Sequence, residues 1–305
     1  VEETRKFGAR VILTGDTLDA SAVAAREIAE SDGLSFVHPY DDPKIIAGQG
    51  TVGLEIMEDQ PDLDAVIVPI GGGGVLSGTA IAMRALGSKA RFYGVEAALY
   101  PSMYQAIHDQ EPRLGGQTLA DGIAVKNPGA LTRPIIEEMV EDIMIVDESA
   151  VETGVVMLVE LQKVVAEGAG AAALAALLDE TFCAQFAGQK VGLVVTGGNI
   201  DVRLLSWVLT RGLVRDGRIV RLRIDIVDQP GVLAKVAGCI GDSGGNIIEV
   251  YHQRLFYDVP AKEAEVDAIV ETRNAEHVVE IVEHLEANGF TTRVLSARAA
   301  DPRAI

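Results

Sequence analysis

Apolar and polar positions follow two different rhythms along this chain. Up to about Leu213, short apolar runs alternate with stretches of helical spacing. The runs at 9–13, 35–37, 65–70, 91–95, 143–146 and 190–195 predict strands. The stretches at 20–30, 45–58, 75–86, 131–138, 148–160, 169–178 and around 201–211 predict helices. Such alternation predicts an α/β fold built on a mostly parallel sheet. After the charged turn Arg215-Asp-Gly-Arg218 the rhythm changes. Strands are predicted at 219–227, 247–256, 263–272 and 291–295, with helices at 232–240 and 275–287. The order βαββαβ is that of a small ferredoxin-like module.

One junction carries chemistry. The apolar run from Ala65 to Ile70 reads as a buried parallel strand, and four glycines, Gly71 to Gly74, follow at once. A helix is predicted to start at Val75. Strand, glycine loop and helix together expose backbone N–H groups at a helix N-terminus, where they bind phosphate. Side chains would block that approach. The loop lacks the Gly-Lys-Ser/Thr ending of a nucleotide P-loop, and the spacing and acidic partner of a dinucleotide fingerprint. The phosphate it expects therefore belongs to another cofactor.

Composition narrows the setting. The 305 residues allow two or three domains, and 48% are hydrophobic, enough for a large core. A net charge of −19 argues against nucleic-acid and anionic-membrane partners. The longest apolar region, around 154–178, is broken by Glu160, Lys163 and Glu167 and does not read as a membrane span. Cys183 and Cys239 lie far apart without metal-ligand neighbours, which suits buried thiols in a reducing cytoplasm. The five histidines show no ligand spacing, and His277 and His284, one heptad apart on an acidic helix, read as a solvated face. The chain opens on Val1 and within structure, with Gly8 as a helix-ending glycine. This reads as a sequence whose front end is missing.

Four further segments accompany the glycine loop: the stretch at 40–55, Thr118-Leu-Ala-Asp-Gly-Ile-Ala-Val125, Val165-Ala-Glu-Gly-Ala-Gly-Ala171 and Val195-Thr-Gly-Gly-Asn-Ile-Asp201. In this order they resemble the pyridoxal-phosphate-dependent threonine ammonia-lyases of fold type II, whose large domain is like the tryptophan synthase β chain; serine racemases are close relatives. The likeness covers nearly all of residues 1–215. It implies that Gly71, Gly72, Gly73, Gly74 and Val75 hold the phosphate of pyridoxal 5'-phosphate and that Gly122, beside Asp121, lines the pocket. It places Glu167 near the cofactor ring; an acid amid Ala and Gly is costly to bury without a partner. It also places Thr196 opposite the pyridine nitrogen, where the family usually has Ser. A hydroxyl there leaves the ring neutral and a weaker electron sink than a carboxylate would. Glu96 matches a cation ligand of the racemases, but the partner position holds Ser102 and no metal is expected.

The module after Arg218 resembles an ACT domain. The likeness implies an amino-acid effector at Asp228, Gly231, Val232 and Leu233, where a turn offers N–H groups at a helix start, and a strand at 247–256 available for pairing between subunits in a homo-oligomer.

The main departure is an absence. The family's cofactor-anchoring lysine lies in a Ser-x-Lys-x-Arg-Gly-Ala type motif that does not occur here, and neither does the asparagine loop that grips the cofactor's phenolic oxygen. Both are expected upstream of Val1, so no catalytic residue is assigned and the chain alone is expected to be inactive. The resemblance implies residues 1–45 as the end of a small subdomain, 46–218 as most of the large cofactor-binding domain and 219–305 as the ACT domain. The implied reaction is β-elimination of L-threonine to 2-oxobutanoate and ammonia, and of L-serine to pyruvate. The alternatives are a serine or aspartate racemase, a hydroxyaspartate dehydratase, or an amino-acid sensor without turnover.

Overall fold

The computed structural model describes residues 1–15, 18–253 and 263–295. Its helices are α1 (Glu2–Lys6), α2 (Leu18–Asp32), α3 (Pro43–Asp59), α4 (Gly74–Ala85), α5 (Ser102–Ile107), α6 (Thr132–Met139), α7 (Glu148–Met157), α8 (Gly168–Ala176), α9 (Glu180–Ala184), α10 (Val202–Arg215), α11 (Val232–Asp242) and α12 (Ala275–Ala287). Its strands are β1 (Ala65–Pro69), β2 (Arg91–Ala97), β3 (Val140–Val146), β4 (Val191–Leu193), β5 (Ile219–Val227), β6 (Asn246–Gln253), β7 (Glu263–Glu271) and β8 (Thr292–Val294). The chain divides into two compact units: Val1–Gln117 with Gly122–Ile145 and Thr181–Val194, and Thr118–Asp121 with Val146–Glu180 and Val195–Ile305.

In the first unit the sheet runs β3-β2-β1-β4, with β1 parallel to both β2 and β4. All of β1 is buried, as its unbroken apolar run requires. Val66, Val68 and Ile70 pack with Leu76, Met83, Phe92 and Ile136 into one core. Helices α3 and α4 touch backbone to backbone. A Cβ on Gly78 would overlap Ile46 O and lie 2.7 Å from Gly50 N, so only glycine permits this crossing. Asp42 caps α3 by accepting from Lys44 N–H, with Pro43 at the first helical position.

In the second unit α7, α8 and α10 share a core of Val155, Val156, Leu158, Ala171 and Val208. The end of α7 widens into a π-turn, Leu158–Gln162, closed by Lys163 at φ 59°. The C-terminal sheet has the order β6-β7-β5-β8, with antiparallel pairings. Leu222, Ile224, Val266 and Ala268 meet α11 and α12 on one face. Alternation along β5 and β7 puts Arg221, Arg223 and Asp267 on the other. Asp267, only 2% exposed, accepts from both arginines, and the Arg223 hydrogen bond holds its carboxyl below the usual range.

Several expectations need correction. Residues 9–13 and 35–37 are not strands. A strand exists through pairing, and among the described residues no strand runs beside them. His277 is not on a solvated face: it is 1% exposed, its Nδ1 accepting from Arg273 N–H while Nε2 meets Ser243 O at 2.7 Å. That ring ties the start of α12 to the end of α11. Cys183 is exposed, and only Cys239 is buried. The predicted strand at 247–256 ends in residues 254–256, which lie outside the described residues. Among the described residues no helix is long and apolar enough to cross a membrane.

Candidate cofactor site

The glycine loop is built by the strand before it and the helix after it. Ile70 N–H still belongs to the sheet, bonding Val95 O at 2.7 Å, and Ser77 N–H already belongs to the helix, bonding Gly73 O at 3.0 Å. Between them, the N–H groups from Gly71 to Leu76 have no acceptor among the described residues. Gly73 caps α4 at φ 90°, a left-handed conformation that turns successive N–H groups to one side. Gly72, Gly73 and Gly74 are buried, so these donors are shielded from bulk water. Buried backbone donors left unpaired are rare and costly. A run of them at a helix N-terminus fits an anion, and the phosphate of pyridoxal 5'-phosphate meets that test.

The loop's surroundings are fixed by neighbours in the same unit. A Cβ on Gly71 would lie 3.1 Å from Val125 Cγ2 and 3.4 Å from Gly122 O, so Gly122 and the loop are brought together. The Tyr40 ring covers Gly72, and its hydroxyl donates to Asn127 O at 3.0 Å. The sequence marked the segment around Tyr40 but not this contact, which joins positions far apart in the chain.

In the second unit, Glu167 stands at the N-cap position of α8 without capping it. Its side chain lies against Gly197, and its N–H bonds Gly197 O at 3.1 Å. Partial burial, followed by the nearby charge of Asp121, raises the Glu167 pKa, with the Asn199 backbone opposing. Thr196, next to Gly197, is exposed. Asp228 and Gly231 are exposed between β5 and α11; Gly231 caps α11 at φ 86°, Val232 is half-buried and Leu233 is exposed in the first turn.

Glu96 is a helix cap. It is 0% exposed, and its two oxygens accept from Met103 N–H and Tyr104 N–H, each at 2.8 Å, at the start of α5. Among the described residues no group of three or more His, Cys, Asp or Glu is arranged to hold a metal. Burial outweighs those two hydrogen bonds and pushes the carboxyl up to about 7. The folded state thus holds the Glu96 proton more tightly than the unfolded chain. That contribution is fully present below the ordinary carboxylate range and is lost as pH rises towards about 7. Glu96→Gln is expected to remove this pH dependence, worth about 3 kcal/mol across the window. Thermal midpoints measured between those pH values check it; an unchanged slope in the variant contradicts it.

Comparison with known proteins follows the same lines. Residues 1–197 match the family described as "Pyridoxal-phosphate dependent enzyme". An L-threonine ammonia-lyase of Thermotoga maritima is 41% identical over 297 residues, covering 97% of this chain and 73% of that protein. Among solved structures, maize serine racemase gives a TM-score of 0.63 at 32% identity, covering 70% of this chain and 67% of that one. The processed form of threonine deaminase isoform 2 from Solanum lycopersicum gives 0.62 at 30% identity, covering 68% and 58%. The chain therefore spans about three quarters of the Thermotoga protein and between 58% and 67% of these two structures. With almost two thirds of its length matched and the phosphate-type loop in place, the chain belongs to the pyridoxal-phosphate dependent enzyme family.

Proposed function

We propose that this chain forms most of a threonine ammonia-lyase, which converts L-threonine to 2-oxobutanoate and ammonia, and L-serine to pyruvate, by β-elimination. The observation that carries this is the run of N–H groups from Gly71 to Leu76 with no acceptor among the described residues. When bound there, pyridoxal 5'-phosphate supplies the electron sink for charge at the substrate's α-carbon. Gly71 to Gly74 and Val75 bind and orient its phosphate, and Gly122 lines the pocket. With the cofactor bound, Thr196 would offer its ring nitrogen a hydroxyl rather than a carboxylate, which would leave that nitrogen neutral. Glu167, raised by burial and Asp121, holds a proton on its carboxyl more readily than an ordinary glutamate. The curated relatives named L-threonine ammonia-lyase are 41–42% identical to this chain, whereas the serine racemase and aspartate racemase structures are 30–33% identical. That favours elimination over racemisation.

None of these residues carries the family's lysine motif, so turnover requires a lysine from outside them. The test joins a lysine-bearing segment ahead of Val1 and offers L-threonine and L-serine to the loaded protein. We expect 2-oxobutanoate and pyruvate, and none from the 305 residues alone. D-serine without keto acid would establish the racemase reading instead.

The C-terminal βαββαβ module supports an ACT assignment, with residues 219–305 a regulatory domain beside 1–45 and 46–218. Nothing lies within 4 Å of a Cβ built on Gly231, leaving open space over the first turn of α11 for an amino-acid carboxylate. β6 lies at the sheet edge with Ile248, Val250 and Tyr251 exposed, which suits pairing with a second copy. Thr272 N–H bonds Arg218 O at 2.9 Å, and Arg218 pairs with Glu160 of the π-turn at 2.7 Å, so module and π-turn are tied together. Calorimetric titration of isoleucine, valine, threonine and serine into the whole protein is expected to show binding of at least one. Heat from none of them means a purely structural module. A cytoplasmic setting accords with this reading.

A further inference from the structure

Thr132 lies in the first turn of α6 and is fully buried. Its Oγ1 donates to Gly72 O at 2.5 Å, reaching across 60 residues of sequence into the glycine loop. Thr132 is itself held by Asp41, in the segment just before α3. The Asp41 carboxylate accepts from Ala130 N–H at 2.9 Å, Leu131 N–H at 2.8 Å and Thr132 N–H at 3.3 Å. It is thus a cap for α6 supplied from a distant part of the chain, with its charge at the positive end of the helix. A Cβ on Gly129 would overlap Asp41 and sit 2.5 Å from Thr132 Oγ1, so this position admits only glycine beside the clamp.

The consequence for the loop follows from peptide geometry. In a trans peptide the carbonyl of one residue and the N–H of the next point in opposite directions. Gripping Gly72 O therefore sets the direction of Gly73 N–H. That N–H belongs to the run without acceptors, and Gly73 at φ 90° would otherwise have wide rotational freedom. We propose that Thr132, held by Asp41, is a positioning residue for the cofactor: it turns the Gly72–Gly73 peptide so that Gly73 N–H points at the phosphate. The proposal rests on the reading of Gly71 to Leu76 as the phosphate site.

The test compares pyridoxal 5'-phosphate with pyridoxal, which lacks the phosphate, in titrations followed by ligand absorbance and by the thermal midpoint of the whole protein. Thr132→Val replaces the hydroxyl with a methyl of similar volume. It is expected to weaken pyridoxal 5'-phosphate by about tenfold, the worth of one well-placed hydrogen bond, and to leave pyridoxal unchanged. Thr132→Ser keeps the hydroxyl and should restore the phosphate preference. Asp41→Asn keeps the shape but removes the charge, and should lose part of that preference. It decides the question if the valine variant does not fold. Equal weakening of both ligands, or no weakening, overturns the proposal. Gly72→Asp separates it from the reading beneath: loss of phosphate preference there but not in Thr132→Val leaves the phosphate site standing without the positioning role. If neither variant changes the preference, the phosphate site itself is wrong.

Discussion

Gly78→Val is expected to prevent the first unit from folding stably. At this position the helices α3 and α4 meet backbone to backbone. The added Cβ would overlap Ile46 O and come within 2.7 Å of Gly50 N and 2.9 Å of Gln49 C. All three are main-chain atoms, so no side chain can rotate away. The helices would have to separate, opening the core around Leu76, Ala80 and Met83. Neighbouring Gly53 faces the same limit, since a Cβ there would lie 2.6 Å from the main-chain Thr79 O. The expected cost is about 4 kcal/mol or more, at the severe end for single substitutions. Gly48 on the same helix is the control, with nothing within 4 Å of its Cβ. Gly48→Ala should stabilise by about 0.5–1 kcal/mol through helix propensity. Thermal midpoints check both, and a Gly78→Val protein melting like the parent contradicts the packing account.

Gly72→Asp is expected to abolish useful affinity for pyridoxal 5'-phosphate, and comparison with Gly72→Asn separates its two causes. Either side chain displaces the Tyr40 ring that covers Gly72. Only Asp adds a negative charge where the N–H groups from Gly71 to Leu76 converge. If those donors hold a phosphate, the Asp variant should bind at least about tenfold more weakly than the Asn variant. Equal affinities for the two variants would mean that the loop does not meet an anion.

The sequence made the site's local parts legible and left its long-range parts hidden. β1 was readable because a strand buried on both faces is apolar without alternation, and the four glycines marked its end. The C-terminal βαββαβ order was readable because β5 and β7 alternate and Asp228-Gln-Pro-Gly231 punctuates them. Residues 9–13 misled because apolar run length does not say whether a partner strand is present. α5 was missed because its N-terminal amides are satisfied by Glu96 from β2 rather than by a local cap residue. Asp41 and Thr132 were invisible for the same reason: a cap supplied across 91 positions leaves no spacing to read. His277 shows the opposite error, since an acidic helix surface says little about one position on its inner face. Glu167 and Thr196 were singled out through the family resemblance of their glycine-rich segments rather than through charge or hydropathy.

The central claim is that a phosphate sits on the amides at the start of α4. Hydrogen–deuterium exchange of the whole protein, with and without pyridoxal 5'-phosphate, tests it directly. The N–H groups from Gly71 to Leu76 have no acceptor among the described residues, so added protection on loading reports the ligand. The account predicts that these amides slow strongly on adding pyridoxal 5'-phosphate, and slow less with pyridoxal. Protection that appears elsewhere while Gly71 to Leu76 exchange as before would contradict it.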